Sequence, residues 1–418
     1  EGQEKRLFTF LHASDLHVDT PVGSVVGHQM PTAVTEILRD ASVLAWDALV
    51  DAAIAHGVDF VVLAGGLYDG PHNGLRAQLC LRDGLTRLGS AGIRTFISLG
   101  HSDAAPPGWT AIDDWPEGTH LLAGAGPAGK PVESITFEAG GEPVTIHGLS
   151  NAARDLPDDV VSRFPSKPGR GFHIGVLHIG HGTGAPAVSD LQSRSIHYWA
   201  LGGSHNGSVH STEPWIVEPG TIQGRSATTV AEQGPKGAYL VTVDGGRAAE
   251  PRAVALDTVR FVSASVDISE MHTTTELIDR LQEAGDPGGH DGRSVVLRAR
   301  VNGTGPLHDE LADPAKAAKV LKVLNSSSGS TPFTWVDRIE WRTRPTIDLD
   351  EVRQGTDFLS DLLATADAPI GDDDWRTGLP KLPVDVARLL EVPPRPDDSD
   401  VASRALDLAL NEFAGGQQ

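Results

Sequence analysis

Phe60-Val61-Val62-Leu63-Ala64 is an unbroken apolar run closed by Gly65-Gly66, and no feature of the chain limits its fold more. A run so short and so apolar suits a strand buried on both faces, since a half-exposed strand would alternate with polar residues. Two similar strands flank it, Leu7 to His12 before Ser14-Asp15, and Thr95 to Leu99. Between them Val43, Trp46, Leu49, Val50, Ala53 and Ile54 recur at helical spacing, with Gly57 as a stop. Leu75, Leu79, Leu81, Leu85 and Leu88 mark a second helix. Strands alternating with helices predict a parallel α/β sheet.

The pattern then changes. Ile135 to Phe137 and Val144 to His147 flank a Gly140-Gly141-Glu142 turn, a hairpin signal, and short strands follow at 174–178, 198–201, 215–217 and 238–243. A parallel half plus a more antiparallel half suits two sheets packed face to face with helices outside, over residues 6–255. Residues 256–345 read as β-α-β-α-β, a smaller α+β domain. Residues 346–418 are acidic and interrupted by prolines, with helix candidates at 357–364 and 384–390 and a last helix at 401–413. At roughly 150 residues per domain, 418 residues fit two or three domains.

Charge and cysteine usage exclude several classes. With 56 Asp+Glu against 34 Lys+Arg and a net charge of −22, the average surface repels phosphate, which argues against an indiscriminate nucleic-acid coat. Cys80 alone rules out a disulfide framework and any Cys-rich zinc or iron–sulfur site, and suits a cytoplasmic location. No apolar run approaches the roughly 20 residues of a membrane span, so no membrane contact is expected, and Glu1 to Lys5 do not resemble a signal peptide.

The informative polar residues lie where strands end. These are Asp15 and His17, then Gly65-Gly66-Leu67-Tyr68-Asp69, Gly100-His101-Ser102-Asp103, His178, and Gly202-Gly203-Ser204-His205. Ligands of open α/β sheets bind beyond the carboxyl ends of strands. One histidine there is more often a hydrogen-bonded structural residue; five such segments in order suggest a metal site.

That order resembles the signature of calcineurin-like metallophosphoesterases: Asp-x-His, Gly-Asp-x-x-Asp, Gly-Asn-His-Asp, a lone His, Gly-His-x-His. The stretch Phe10-Leu11-His12-Ala13-Ser14-Asp15-Leu16-His17-Val18-Asp19-Thr20-Pro21 and the stretch Tyr198-Trp199-Ala200-Leu201-Gly202 resemble the SbcD nuclease group and its YhaO-like branch. The resemblance implies a four-layer α/β/β/α sandwich with a smaller α+β cap and a helical C-terminal tail. It also implies two Mn²⁺-like ions bridged by one Asp. Asp15, His17 and His205 would serve one ion, and His178 with the motif-three position, here His101, the other. The chain departs from the pattern at four positions. Gly66 stands at the bridging Asp, His101 at the Asn, Ser102 at the catalytic His, and Gly203 at the first His of the last motif.

The resulting expectation is an SbcD-like subunit of a DNA-end-processing or repair complex, with hydrolase activity impaired or lost. It would hold one Mn²⁺ at Asp15, His17 and His205, or none. The alternative is an active metal-dependent exonuclease or phosphodiesterase with a rearranged or mononuclear site, in which His101, His178 and His181 serve a different metal. Expected partners are an SMC-like coiled-coil ATPase and DNA, in a homodimer or 2:2 complex. Arg298, Arg300, Lys316, Lys319, Lys322, Arg338 and Arg342 form either a phosphate-contacting cap or an ordinary solvated face. Val401, Ala405, Leu408 and Phe413 stripe the last helix, which grips the ATPase or folds back on its own chain. Gly180-His181-Gly182-Thr183-Gly184 reads as a rim loop, Cys80 as an inert thiol, and Trp109 and Trp115 as packed on the domain surface.

Overall fold

The structure is a computed structural model. It describes residues 7–22, 30–69, 74–103, 112, 114–124, 126–127, 129–150, 156–167, 169–179, 185–327, 331–345, 354 and 360. The chain divides into two compact units. The first comprises Glu1–Ala264, Gln282–Ala299 and Val323–Arg338; the second comprises Ser265–Leu281, Arg300–Lys322 and Ile339–Gln418.

The first unit opens with β1 (Phe8–Ala13), α1 (Thr32–His56), β2 (Phe60–Ala64), α2 (Leu75–Ser90), β3 (Arg94–Ser98) and β4 (Thr119–Leu121). Gly57 ends α1 in the left-handed conformation (φ 59°), the stop that its position in the sequence predicts. Next come β5 (Glu133–Ala139), β6 (Glu142–Gly148), β7 (Phe172–His178), α3 (Val188–Gln192), β8 (Tyr198–Gly202), β9 (Ser208–Thr212) and β10 (Trp215–Glu218). They are followed by β11 (Gly237–Asp244), β12 (Arg247–Ala248) and β13 (Arg252–Ala255).

Two sheets result. One runs β12-β11-β1-β2-β3-β4, with β13 paired to β11; the other runs β5-β6-β7-β8-β10-β9. β1 to β4 are mutually parallel and β11 is antiparallel to β1. In the second sheet β6, β7, β8 and β10 are parallel, with β5 and β9 antiparallel at the edges.

Period-two alternation in β1 separates two cores. Phe8 and Phe10 join Phe60, Phe96, Val144, Ile174 and Tyr198 between the sheets, while Leu11 and Ala13 pack under Trp46, Leu49, Leu81 and Leu85 of α1 and α2. Phe10 stacks on Phe60 at 4.9 Å and meets Tyr198 edge-on at 5.2 Å. The far face of the second sheet (Leu177, Trp199, Leu201, Ile216) is covered by Val160, Phe164 and Leu191. The order of layers is therefore α/β/β/α, as expected. Each fully buried apolar side chain contributes about 1.5–3 kcal/mol against the entropy cost of folding.

Buried histidines tie the layers with defined tautomers. His12 lies between Tyr198 and the Leu201 carbonyl (3.0 and 3.1 Å), so Nε2–H donates to the carbonyl and Nδ1 accepts from the tyrosine. Burial pushes its pKa down to about 3, against a smaller upward pull from the Leu201 hydrogen bond. On the second sheet His173 Nε2–H donates to Gly169 O (2.9 Å), so its Nδ1 accepts from His147 Nε2–H (2.9 Å), whose Nδ1 accepts from Ser134 Oγ (2.8 Å).

A third sheet has the order β14-β15-β16, from Val259–Asp267, Ser294–Thr304 and Thr334–Arg344. The first unit contains the starts of these strands: Val259, Phe261, Val296, Phe333 and Trp335 share a core with Val34, Leu38 and Ala41 of α1. The second unit holds most of α4 (Thr274–Ala284), α5 (His308–Leu311) and most of α6 (Pro314–Leu324). The described elements over residues 256–345 run β14, α4, β15, α5, α6 and β16, and the division into compact units falls within these strands rather than at residue 255. The tail segments expected to be helical, including Val401, Ala405, Leu408 and Phe413, lie outside the described residues apart from residues 354 and 360, as do Trp109 and residues 180–184. Trp115 packs against the core beneath α1 and α2, as expected. Cys80 is free and half-buried, and burial pushes its thiol pKa up. No helix among the described residues is long and apolar enough to cross a membrane.

Candidate metal centre

β1 and β2 run side by side, so the loops leaving their carboxyl ends meet. Asp15 N donates to Gly65 O, His17 N to Gly66 O and Val18 N to Leu67 O, all at 2.8–2.9 Å. The first loop turns by placing Asp15, His17 and Asp19 in the left-handed region (φ 50°, 44° and 63°). Such conformations cost non-glycine residues about 1–2 kcal/mol each and persist where the surroundings over-determine them. Here Thr221 Oγ1 donates to Asp15 O (2.8 Å) and Ser14 Oγ to Gly220 O (3.3 Å), bracing the loop from the segment after β10.

The loop after β8 completes the group. Gly203 N donates to Asp15 Oδ2 (2.9 Å), and His205 Nε2 lies 3.1 Å from His17 Nε2. One ligand atom from each of Asp15, His17 and His205 lies within 4.8 Å of the others. Asp15 and His17 are buried, whereas the His205 side chain is 22% exposed, so the group opens to solvent on that side. Two nitrogens bonded to one ion at about 2.1 Å lie roughly 3.0–3.4 Å apart for angles of about 90–110°, the spacing that these two rings show. Two histidines and a carboxylate with an open side are a donor set for a divalent transition metal.

His205 is itself held. Its Nδ1 lies 2.6 Å from Glu232 Oε1, and Lys236 Nζ donates to its carbonyl at 3.4 Å. The second oxygen of Glu232 accepts from Arg225 N (2.9 Å). Arg225 also spans Asp69 (3.2 Å) and Glu232 (3.4 Å). Burial pushes the Glu232 carboxyl up, but the His205 hydrogen bond and the Arg225 charge outweigh it, leaving its pKa below the ordinary value. Glu218 accepts from Ser204 N (2.8 Å) and pairs with His210 (3.1 Å), and burial pushes its pKa up. No motif announces Arg225, Glu232, Glu218 or Thr221; each comes from a loop, a strand end or, for Glu232, a single 3₁₀ turn.

The remaining motif positions are spent otherwise. Gly66 has φ +68°, and a Cβ there would lie 2.7 Å from Asp15 Cα and 2.8 Å from Asp15 Oδ1. The position where the resembled pattern has its bridging Asp thus lies against the backbone of the first loop. Gly203 has φ +119°, which disfavours any side chain. Asp103 is buried, and its carboxylate accepts from Gly66 N, Tyr68 N and Gly100 N at 2.8–3.0 Å, tying the second loop to the third. Desolvation pushes its pKa up, opposed by those three bonds and by His178. His178 is buried with Nδ1–H donating to Ala64 O (2.9 Å), its ring clamped where a Cβ on Gly65 or Gly100 would intrude. His101 is exposed and Ser102 half-buried on a single 3₁₀ turn. Among the described residues Asp15, His17 and His205 form the three-ligand group, which neither His178 nor His101 joins; His181, the third member of the alternative site, lies outside them.

The protein of Bacillus subtilis (strain 168) described as "Uncharacterized metallophosphoesterase YhaO" is 33% identical over 344 residues, 80% of this chain and 82% of that protein. The chain belongs to the YhaO metallophosphoesterases. The model of the family's middle domain matches residues 261–344. Solved structures with partial likeness include GAP50, the anchor in the inner membrane complex of Plasmodium (12% identity, TM-score 0.37, 60% of this chain and 85% of that one). A dimetal phosphatase from Danio rerio (12%, 0.34, 59% and 96%) and a hypothetical protein from Thermus thermophilus (14%, 0.33, 60% and 97%) are others, and at these scores none carries weight. Membership of the family implies a divalent metal, and the Asp15, His17 and His205 donors fit one.

Proposed function

We propose that this chain is an SbcD-like subunit with a one-ion metallophosphoesterase centre and impaired hydrolase activity, serving a complex with an SMC-like ATPase that processes or repairs DNA ends. The observation that carries it is the contact of Gly66 with Asp15, which removes the bridging carboxylate and leaves Asp15, His17 and His205 as a complete set for one ion. A single Mn²⁺ there would supply Lewis-acid charge to a phosphate oxygen. Ser102, where the resembled pattern has His, is a poor proton donor near neutrality, and a missing general acid typically costs about 10²–10⁴-fold.

The motif order and the Phe10–Pro21 stretch support the SbcD-like assignment and with it the ATPase partner. For DNA, the candidate cations divide. Arg298 pairs with Asp337 (3.1 Å), whereas Arg300 and Arg342 share the single carboxylate of Glu340, which offsets one of their two charges. Lys316, Lys319 and Lys322 are exposed on α6, opposite its buried Ala317 and Val320, and Arg338 is exposed on β16; these four are the cations proposed for phosphate.

The intact triad, open at His205, favours a second reading, a mononuclear phosphodiesterase that still turns over. One assay separates them: Mn²⁺-dependent cleavage of linear DNA and of bis(p-nitrophenyl) phosphate by the parent and H205A. Rates equal in both, with the parent co-purifying with the ATPase, support the scaffold reading. Turnover in the parent at the rate of an intact two-metal phosphodiesterase, abolished in H205A, overturns it in favour of the second.

A further inference from the structure

We propose that Glu232 is the positioning residue for His205, fixing its tautomer and ring orientation so that Nε2 faces the ion, and that Asp69 and Arg225 hold Glu232 in place. This deepens the one-ion reading and rests on it. A carboxylate only accepts, so the 2.6 Å contact places the hydrogen on His205 Nδ1 and leaves the Nε2 lone pair beside His17. Arg225 Nη2, 3.3 Å from the same Nδ1, is a donor facing a donor there, and its partner is the Glu232 carboxylate.

Glu232 has little freedom to do otherwise. It is buried, its Oε2 accepts from Arg225 N, and its Oε1 is shared between His205 and the Arg225 guanidinium. Arg225 reaches past it to Asp69. The last carboxylate of the second motif therefore acts on the metal centre through two intermediates rather than as a ligand. A metal-bound histidine commonly donates its other N–H to such a carboxylate, and loss of that partner typically weakens metal binding about 10–100-fold.

The test uses the full chain and Mn²⁺ as the probe, with calorimetric titration of the parent, H205A, E232Q and D69N. E232Q is expected to bind about 10–100-fold more weakly than the parent, D69N to show a smaller loss, and both to melt near the parent in EDTA. A long-range ¹H–¹⁵N correlation on histidine-labelled protein without metal reads the tautomer directly. His205 is expected as Nδ1–H in the parent and as a mixture in E232Q, a change that general destabilisation would not produce. Equal Mn²⁺ affinity in parent and E232Q overturns the proposal, and so does an Nε2–H tautomer in the parent. If the parent binds no Mn²⁺ but shows the Nδ1–H tautomer that E232Q loses, the positioning stands and the one-ion reading fails.

Discussion

Putting a side chain back at position 66 should damage the site rather than repair it. At φ +68° a non-glycine residue costs about 1–2 kcal/mol. Its Cβ would also lie 2.7 Å from Asp15 Cα. That is about 0.8 Å inside the roughly 3.5 Å at which carbons come to rest, so the first and second loops must part. Parting them strains the Asp15 N–Gly65 O and His17 N–Gly66 O bonds, and losing the pair costs about 1–3 kcal/mol. The central figure for G66A is about 3.5 kcal/mol, a fall in Tm of roughly 5–6 °C for a unit of about 300 residues. G66D adds a carboxylate against Asp15 Oδ1 and should be no more stable. Differential scanning fluorimetry in EDTA gives the Tm, and Mn²⁺ titration gives the stoichiometry. A G66D protein melting within about 2 °C of the parent and taking up a second ion would refute this reasoning.

Further outcomes follow from single groups. His12 has a folded pKa of about 3 against an ordinary 6.5, so its contribution is complete above pH 6.5 and is lost as pH falls towards 3, at about 1.4 kcal/mol per pH unit. His147, pushed down to about 4 chiefly by burial, acts with the same sign. Urea midpoints between pH 7 and 4 should fall less steeply for H12Q than for the parent; parallel curves would contradict the assignment. Mn²⁺ at 100 times its Kd should stabilise the parent by about 2.7 kcal/mol and leave H205A unmoved, and an equal rise in Tm for both would place the ion elsewhere. Cys80, with its pKa pushed up by burial, should react slowly with Ellman's reagent in the native protein and fully in urea; equal rates would show an exposed thiolate.

The fold was legible where burial imposes a pattern. β2 sits between two covered faces and its sequence is apolar throughout, whereas β1 and β3 carry Thr9, His12, Thr95 and Ser98 and were legible from their apolar residues Phe8, Phe10, Leu11, Phe96 and Ile97. The first turns of α1 leave a weak imprint on the sequence, because residues 32–42 bury a stripe of only Val34, Leu38, Ala41 and Ser42. β4, β9 and β12 lie at or near sheet edges, are short, and leave little imprint on composition. At the centre, Asp15, His17 and His205 were recoverable because each ends a strand in a known order. Gly66 could be seen to lack a ligand, but only its φ and its distance from Asp15 show that the position has no room for one. Glu232 and Arg225 were out of reach, since the contact with His205 spans 27 residues of loop and strand that no periodicity links.

One ion on Asp15, His17 and His205 is what sets this site apart from a two-metal centre. Anomalous diffraction from crystals grown in Mn²⁺ tests it most directly. A single anomalous peak within bonding distance of Asp15 Oδ, His17 Nε2 and His205 Nε2 is the predicted result. Two peaks about 3.5–4 Å apart, the separation of a two-metal phosphoesterase site, would contradict it, as would a lone peak on His178.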